Sequence, residues 1–204
     1  MRKPKNRTRV FLNLPYDSPF QNPYLAYICG IQAFGMEPHV TLEIPGGERG
    51  LDRIIELIQS CEYSVHDLSR VELNPLPPRT PRFNMPFELG LAVMWEKMAK
   101  SRHMWFVMET IPYRLAKSLS DLNGTDPYIH GGTIQGVFRE LCSAFVRPGQ
   151  QPSVPEMWRI YRAVRERVPT ILRDCGTRSI FQARTFYEIS VAASAAARGI
   201  VGRT

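Results

Sequence analysis

Short β-branched and aromatic runs alternate with helix-period segments through the first half of this chain. That alternation restricts the fold more than any other feature. Arg9 to Leu14 reads as a strand, closed by the turn residues Pro15 to Pro19. A helix is expected from about Asn22 to Phe34, with Tyr24, Tyr27, Ile28 and Ile31 on one face and Gly35 just past its end. His39 to Ile44 suggests a second strand and Gly46-Gly47 a turn, after which Leu51, Ile54, Ile55 and Ile58 mark another helix. Cys61 to Val65 leads into a third strand ending at His66-Asp67, and Met104 to Met108 forms a fourth. Parallel neighbours need a crossover long enough to hold a helix, so this order implies a parallel sheet covered on both faces. The expected class is α/β, a flavodoxin/Rossmann-like three-layer parallel sheet. Right-handed crossovers then collect the C-terminal strand ends along one edge, where such folds bind ligands.

Beyond the fourth strand the pattern changes. Tyr113 to Leu122, Thr133 to Phe145, Met157 to Leu172 and Phe181 to Ile200 read as helices. Pro169 is expected to kink or break the third, and Asp126 to His130 is long enough to hide one more strand. Arg147 to Pro155, rich in Pro and Gly, reads as a linker. Residues 1-146 are therefore assigned to an α/β domain and 147-204 to a helical C-terminal extension, which covers the sheet or makes a dimer.

An apolar content of 44% and a charged content of 22% are those of a soluble globular protein, and no run has the length of a membrane span. The basic stretch Met1 to Arg9 lacks the apolar core of a signal peptide, so a cytoplasmic location with no membrane partner is expected. Cys29, Cys61, Cys142 and Cys175 form no close pair and have no histidine at ligand spacing, which argues for reduced thiols and no metal. The net charge of +7 raises the question of nucleic acid, but the basic residues are dispersed and no nucleic-acid-binding motif accompanies them, so such a partner is not expected. Phosphate-loop, dinucleotide-fingerprint, zinc-protease and nucleophile-elbow motifs are all absent, which argues against those enzyme classes.

Attention therefore falls on the strand-end loops. Leu68 to Pro81, with prolines at 75, 77, 78 and 81, is a loop of the length usually tied to function. It runs into Arg82-Phe83-Asn84-Met85-Pro86-Phe87-Glu88-Leu89-Gly90, where Pro86 suits a first helical position and Glu88 falls in the first turn. From Leu89, apolar residues Val93, Met94, Trp95 and Met98 continue as one face. The expected topology gathers Tyr16, Asp17 and Ser18 with Glu43, Asp67, Ser69, Arg70, Arg82, Asn84, Glu88, Glu109 and Tyr113, and brings His130 nearby. Taken by position, Glu88 is a capping residue or a site residue, Asp67 a turn former or a ligand contact, and Arg70 and Arg82 loop arginines or anion binders. His66 reads as a buried, hydrogen-bonded strand residue. A lone carboxylate in an enclosed pocket suits chemistry at an anomeric carbon, where it can attack or stabilise an oxocarbenium-like transition state.

The pairing of His66-Asp67-Leu68-Ser69-Arg70 with Phe83 to Gly90 resembles the nucleoside deoxyribosyltransferase family and the related TIR-type NAD and nucleotide glycohydrolases. Phe11-Leu12-Asn13-Leu14-Pro15 with Tyr16 and Phe20 is similar to the family's first strand and substrate-covering loop. The resemblance covers about residues 9 to 110, and Arg-Phe-Asn-Met-Pro stands where the family usually has an Asp-Ser-Gly-Thr-like stretch. It implies that Glu88 is the nucleophile, that Asp67 orients the base or sugar, and that Tyr16, Asp17, Ser18, Arg70, Arg82, Asn84 and His130 line the substrate site. The implied substrate is a nucleoside, nucleotide or NAD-like molecule, with no metal or resident cofactor and with assembly as a homo-oligomer. The alternative under the same likeness is a TIR-like nucleotide-sensing or signalling module that binds without turnover.

Overall fold

The computed structural model describes residues 7–43, 50–71, 80–99, 103–122, 124–149 and 151–202. Strands β1 (Arg9–Asn13), β2 (Glu37–His39), β3 (Tyr63–Asp67), β4 (Met104–Glu109) and β5 (Tyr128–Ile129) form one sheet in the order β2-β1-β3-β4-β5. Every pairing is parallel, with Leu12 opposite Val65 and Val65 opposite Phe106. The helices are α1 (Gln21–Ala33), α2 (Gly50–Ser60), α3 (Asn84–Ala99), α4 (Arg114–Ser118), α5 (Ile134–Ala144), α6 (Val154–Asp174) and α7 (Ala183–Val201). The strand order reverses direction between β1 and β3, and loops leaving those two strands diverge to open a crevice.

Period-two alternation assigns the strand residues to two faces. Val10, Leu12, Val65, Phe106 and Met108 pack with α1 and α5, whereas Phe11 packs under α2 and α3, and Val107 packs with Leu89 and Leu115. Helix α1 is buried from Pro23 through Ala33 because it has neighbours on every side. The sheet lies under it, and α6 and α7 lie over it within the same apolar cluster. Arg7 ties the layers together by donating to Gln32 Oε1 at 3.0 Å on α1 and to Ser194 Oγ at 3.2 Å on α7. Tyr161 on α6 donates to Asn22 Oδ1 at 3.2 Å. The C-terminal helices thus form an additional layer sharing the main core. Among the described residues, no helix is long and apolar enough to cross a membrane.

Several boundaries differ from expectation, each for a physical reason. β2 ends at His39, and Thr41–Glu43 forms a 3-10 turn in place of a strand running to Ile44. The Glu43 carboxylate accepts from the Val40 N–H at 2.9 Å and so closes the chain on itself, while Pro38 is tolerated because β2 is an edge strand. α3 begins at Asn84, two residues before Pro86, and Phe87 N–H already donates to Phe83 O at 3.0 Å. Pro86 still falls in the first turn, where its missing N–H removes no helix bond. α6 runs through Pro169 to Asp174 without ending there, and a Ser153–Glu156 capping box starts it inside the expected linker. The expected helix Tyr113 to Leu122 is a five-residue α4 followed by a 3-10 turn at Ser120–Leu122. Tyr128–Ile129 is the short fifth strand. The Gly46-Gly47 turn and Pro75, Pro77 and Pro78 lie outside the described residues.

Candidate active site

The loops after β1 and β3 are latched together across the crevice by one carboxylate. Asp17 Oδ1 accepts from Phe20 N–H at 3.1 Å, which caps the 3-10 turn Ser18–Phe20. Its Oδ2 lies 2.6 Å from Arg82 Nη1 and 3.2 Å from Arg70 Nε. Both expected anion-binding arginines therefore share a counter-ion within the protein. The overall charge is not centred here: residues 147–204 hold ten arginines against four carboxylates, six of the seven net positive charges.

Asp67, at the end of β3, is fully buried. Its Oδ1 accepts from Ser69 N–H at 2.9 Å, and its Oδ2 accepts from the Tyr27 hydroxyl at 2.7 Å. His130 Nε2 lies 3.2 Å from the same Oδ2, near in distance but off the line of an aligned hydrogen bond. Gly132 N–H donates to His130 Nδ1 at 3.1 Å, which places the ring proton on Nε2, toward the carboxylate. Asp67 thus joins β3, α1 and the β5–α5 turn. Both oxygens are engaged inside the protein. The turn is tight as well as polar: a Cβ on Gly136 would lie 1.9 Å from the His130 carbonyl oxygen. Gly136→Ala should cost about 2 kcal/mol or more through overpacking, read as a lowered denaturant midpoint at unchanged slope.

Glu88 is in a different condition. It is 7% exposed, and its Oε2 is buried with no hydrogen-bond partner. Burial alone drives its pKa up to about 7. It caps nothing, since α3 carries no acidic residue in its first turn. Tyr16 is its electrostatic neighbour: burial raises the phenol, bonding to Thr41 opposes this, and the Glu88 charge adds a smaller upward push. The Tyr16 hydroxyl lies 2.9 Å from Thr41 Oγ1, and its ring meets Tyr24 and Phe181 at centroid distances of 6.1 and 5.8 Å. Tyr24 is itself fully buried with a hydroxyl that has no partner. Two buried polar groups lacking partners therefore flank Tyr16, the condition expected where a ligand or ordered water completes the hydrogen bonding.

A buried relay fixes the first turn of α3. Asn13 Nδ2 donates to Met85 O and to His66 Nδ1, each at 3.0 Å. With Nδ1 accepting, His66 Nε2 donates to Ser64 Oγ at 2.9 Å, Ser64 to His103 Nε2 at 3.0 Å, and His103 Nδ1 to Cys61 O at 2.8 Å. Burial, helped by the neighbouring His103, lowers His66 to about 3, so the relay is neutral. His103 is lowered too, by burial first. This network orients the helix that carries Glu88.

Further along the edge, Pro19, Phe20, Ser69, Arg70, Arg114 and His130 are among the walls of a hollow of about 270 Å³. Glu109, expected at this edge, is consumed by Arg114 and by Thr110 N–H at 2.6 Å. Ser18 is exposed, and exposed Asn84 donates among the described residues only to the adjacent Met85 Sδ at 3.4 Å, so neither joins the group around Glu88. Sequence reasoning missed Thr41, Asn13, Arg114 and Phe181. An apolar aromatic in the connection between α6 and α7, far along the chain from Tyr16, carries no local signal of its place against that ring.

Strand order, crevice and helical layers define a flavodoxin-like doubly wound α/β protein with a helical C-terminal part. No protein-family model matches the chain, and no curated protein matches it.

Proposed function

We propose that this protein cleaves or transfers at the N-glycosidic bond of a nucleoside, nucleotide or NAD-like substrate, with Glu88 as nucleophile or oxocarbenium stabiliser. The observation that carries the reading is the Glu88 carboxylate: buried, without a partner at Oε2, and within electrostatic reach of Tyr16 on the loop after β1. Such a group is poorly stabilised when the site is empty, and positive charge developing at an anomeric carbon is what it lacks. In the nucleophilic form, a Glu88 oxygen bonds to the anomeric carbon as the carbon–nitrogen bond breaks and its electron pair leaves with the base. Water or an acceptor then displaces the carboxylate. A nicotinamide leaving group departs neutral and needs no proton, whereas a neutral purine or pyrimidine takes one up. Asp67 acts here through Ser69, Tyr27 and His130 as a positioning residue. Phe181 and Tyr16 supply aromatic wall, and the substrate's access is set by the Asp17–Arg70–Arg82 latch. Cytoplasmic location and a homo-oligomeric state belong to this reading.

The test is chromatographic base release from NAD, deoxynucleosides and nucleoside monophosphates by wild type and Glu88→Gln, both checked for folding by circular dichroism. Wild type is expected to release base from one substrate class, and Glu88→Gln to be slower by at least about a hundredfold. Failure of the folded wild type on every substrate would overturn it. The internal engagement of both Asp67 oxygens favours one second reading, a TIR-like module that binds nucleotide without turnover. Ligand binding retained in Glu88→Gln, with no turnover in either protein, would select that reading.

A further inference from the structure

Helix α3 is apolar on two sides, and the described residues cover only one. Met85, Leu89 and Ala92 face the core, whereas Phe83 is 69%, Phe87 54%, Met94 51% and Met98 74% exposed. Met94 and Met98 were expected to continue the inward face; they turn outward instead. With Gly90 these residues recur at spacings of four, three, four and four, which confines them to roughly 80° of the helix circumference. Among the described residues of α3, Lys97 is the one charged residue beside the stripe, so this helix does not present a face built for a polyanion or an acidic segment. At about 200 Å² for a large side chain, the four exposures amount to roughly 500 Å² per copy, the size of the largest apolar patch of a typical monomer, which is often a functional surface.

We infer that this face is the two-fold interface between two copies of the chain, with α3 packed antiparallel on its mate. The spacing carries the assignment: positions 83 and 98, and positions 87 and 94, lie symmetrically about the Gly90–Leu91 peptide. A two-fold axis there sets each Phe83 over a Met98 and each Phe87 over a Met94, pairing aromatic rings with thioethers four times across the interface. Gly90 sits at the crossing, and nothing lies within 4 Å of where its Cβ would be, so the two backbones can approach closely. Two such faces bury roughly 1,000 Å², the lower bound for a specific interface. The inference is independent of the chemistry at Glu88, although it places the partner on the helix that carries that residue.

Light scattering and sedimentation of the full chain test it. Wild type should be a dimer, and Phe87→Glu and Met98→Glu, each folded by circular dichroism, should dissociate at least roughly thirtyfold more readily. Register is tested with a short bis-maleimide, wild type serving as the baseline for native cysteines. Gly90→Cys should cross-link to itself, and a mixture of Phe83→Cys with Met98→Cys should cross-link. Met98→Cys alone should not, since the two copies of that position are about 22 Å apart along the axis. A monomeric wild type, a dimer indifferent to both glutamates, or cross-linking of Met98→Cys alone would each overturn the assignment.

Discussion

At pH 8, Glu88→Gln should melt at a higher temperature than the wild type, although it is the variant expected to lose activity. Burial raises the Glu88 pKa from its ordinary value of 4.5 to about 7, so between those values the folded chain binds a proton that the unfolded chain has released. The Glu88 contribution to stability then falls as pH rises from 4.5 to 7, and the loss is complete above 7, where the folded protein holds an ionised carboxylate with Oε2 unpartnered. The difference corresponds to about 3 kcal/mol. Glutamine is nearly isosteric with the protonated acid and never ionises, so it escapes the penalty. For a chain of this length, that is a gain of roughly 6–12 °C at pH 8. The two proteins should converge near pH 4, where the wild-type group is protonated in both states. Thermal melts of both proteins across this pH range measure it. Equal melting temperatures at pH 8 would mean that Oε2 has found a partner, and the basis for a reactive Glu88 would go with it. Destabilisation that a substrate can reverse is the expected mark of a functional site.

Asp67→Ala should destabilise the fold by about 3–5 kcal/mol, the largest single-site loss anticipated here. The carboxylate is the acceptor for the Tyr27 hydroxyl and Ser69 N–H and faces His130 Nε2, all of them buried residues. Removing it leaves these donors buried together without an acceptor and frees the β5–α5 turn from β3. Tyr27→Phe removes one donor and keeps the ring, so it should cost only about 1 kcal/mol. In the double variant the two effects should not add, because both report the same hydrogen bond. Denaturant unfolding of the four proteins gives this cycle directly. Additive costs would show that Asp67 does not hold Tyr27 in solution.

Much of the scaffold was legible in local pattern. β1, β3 and β4 stand where their β-branched and aromatic runs place them, α1 ends just before Gly35, and Gly35 takes the left-handed φ of 72° expected past a helix. β2 was misplaced because His39 to Ile44 has the composition of a strand, while a side-chain acceptor, Glu43, closes it into a turn. Pro169 misled in the same way: a rule for helix interiors lost to a long helix packed along one side on the core. For the site, the loop positions were readable, but the partners were not. Asp17 and Asp67 look alike as loop-edge carboxylates, yet one latches two half-buried arginines and the other is sealed among Tyr27, Ser69 and His130.

The sequence by itself determined that β1, β3, β4 and α1 form and that the strands run parallel, because periodicity and turn residues act within a window of a few residues. Tertiary structure alone decided the state of each side chain at the crevice. Glu88 lacks a partner and Asp67 has three neighbours because segments far apart in the chain close over one position and not the other. Desolvation and hydrogen bonding depend on that three-dimensional enclosure, which local order along the chain does not encode.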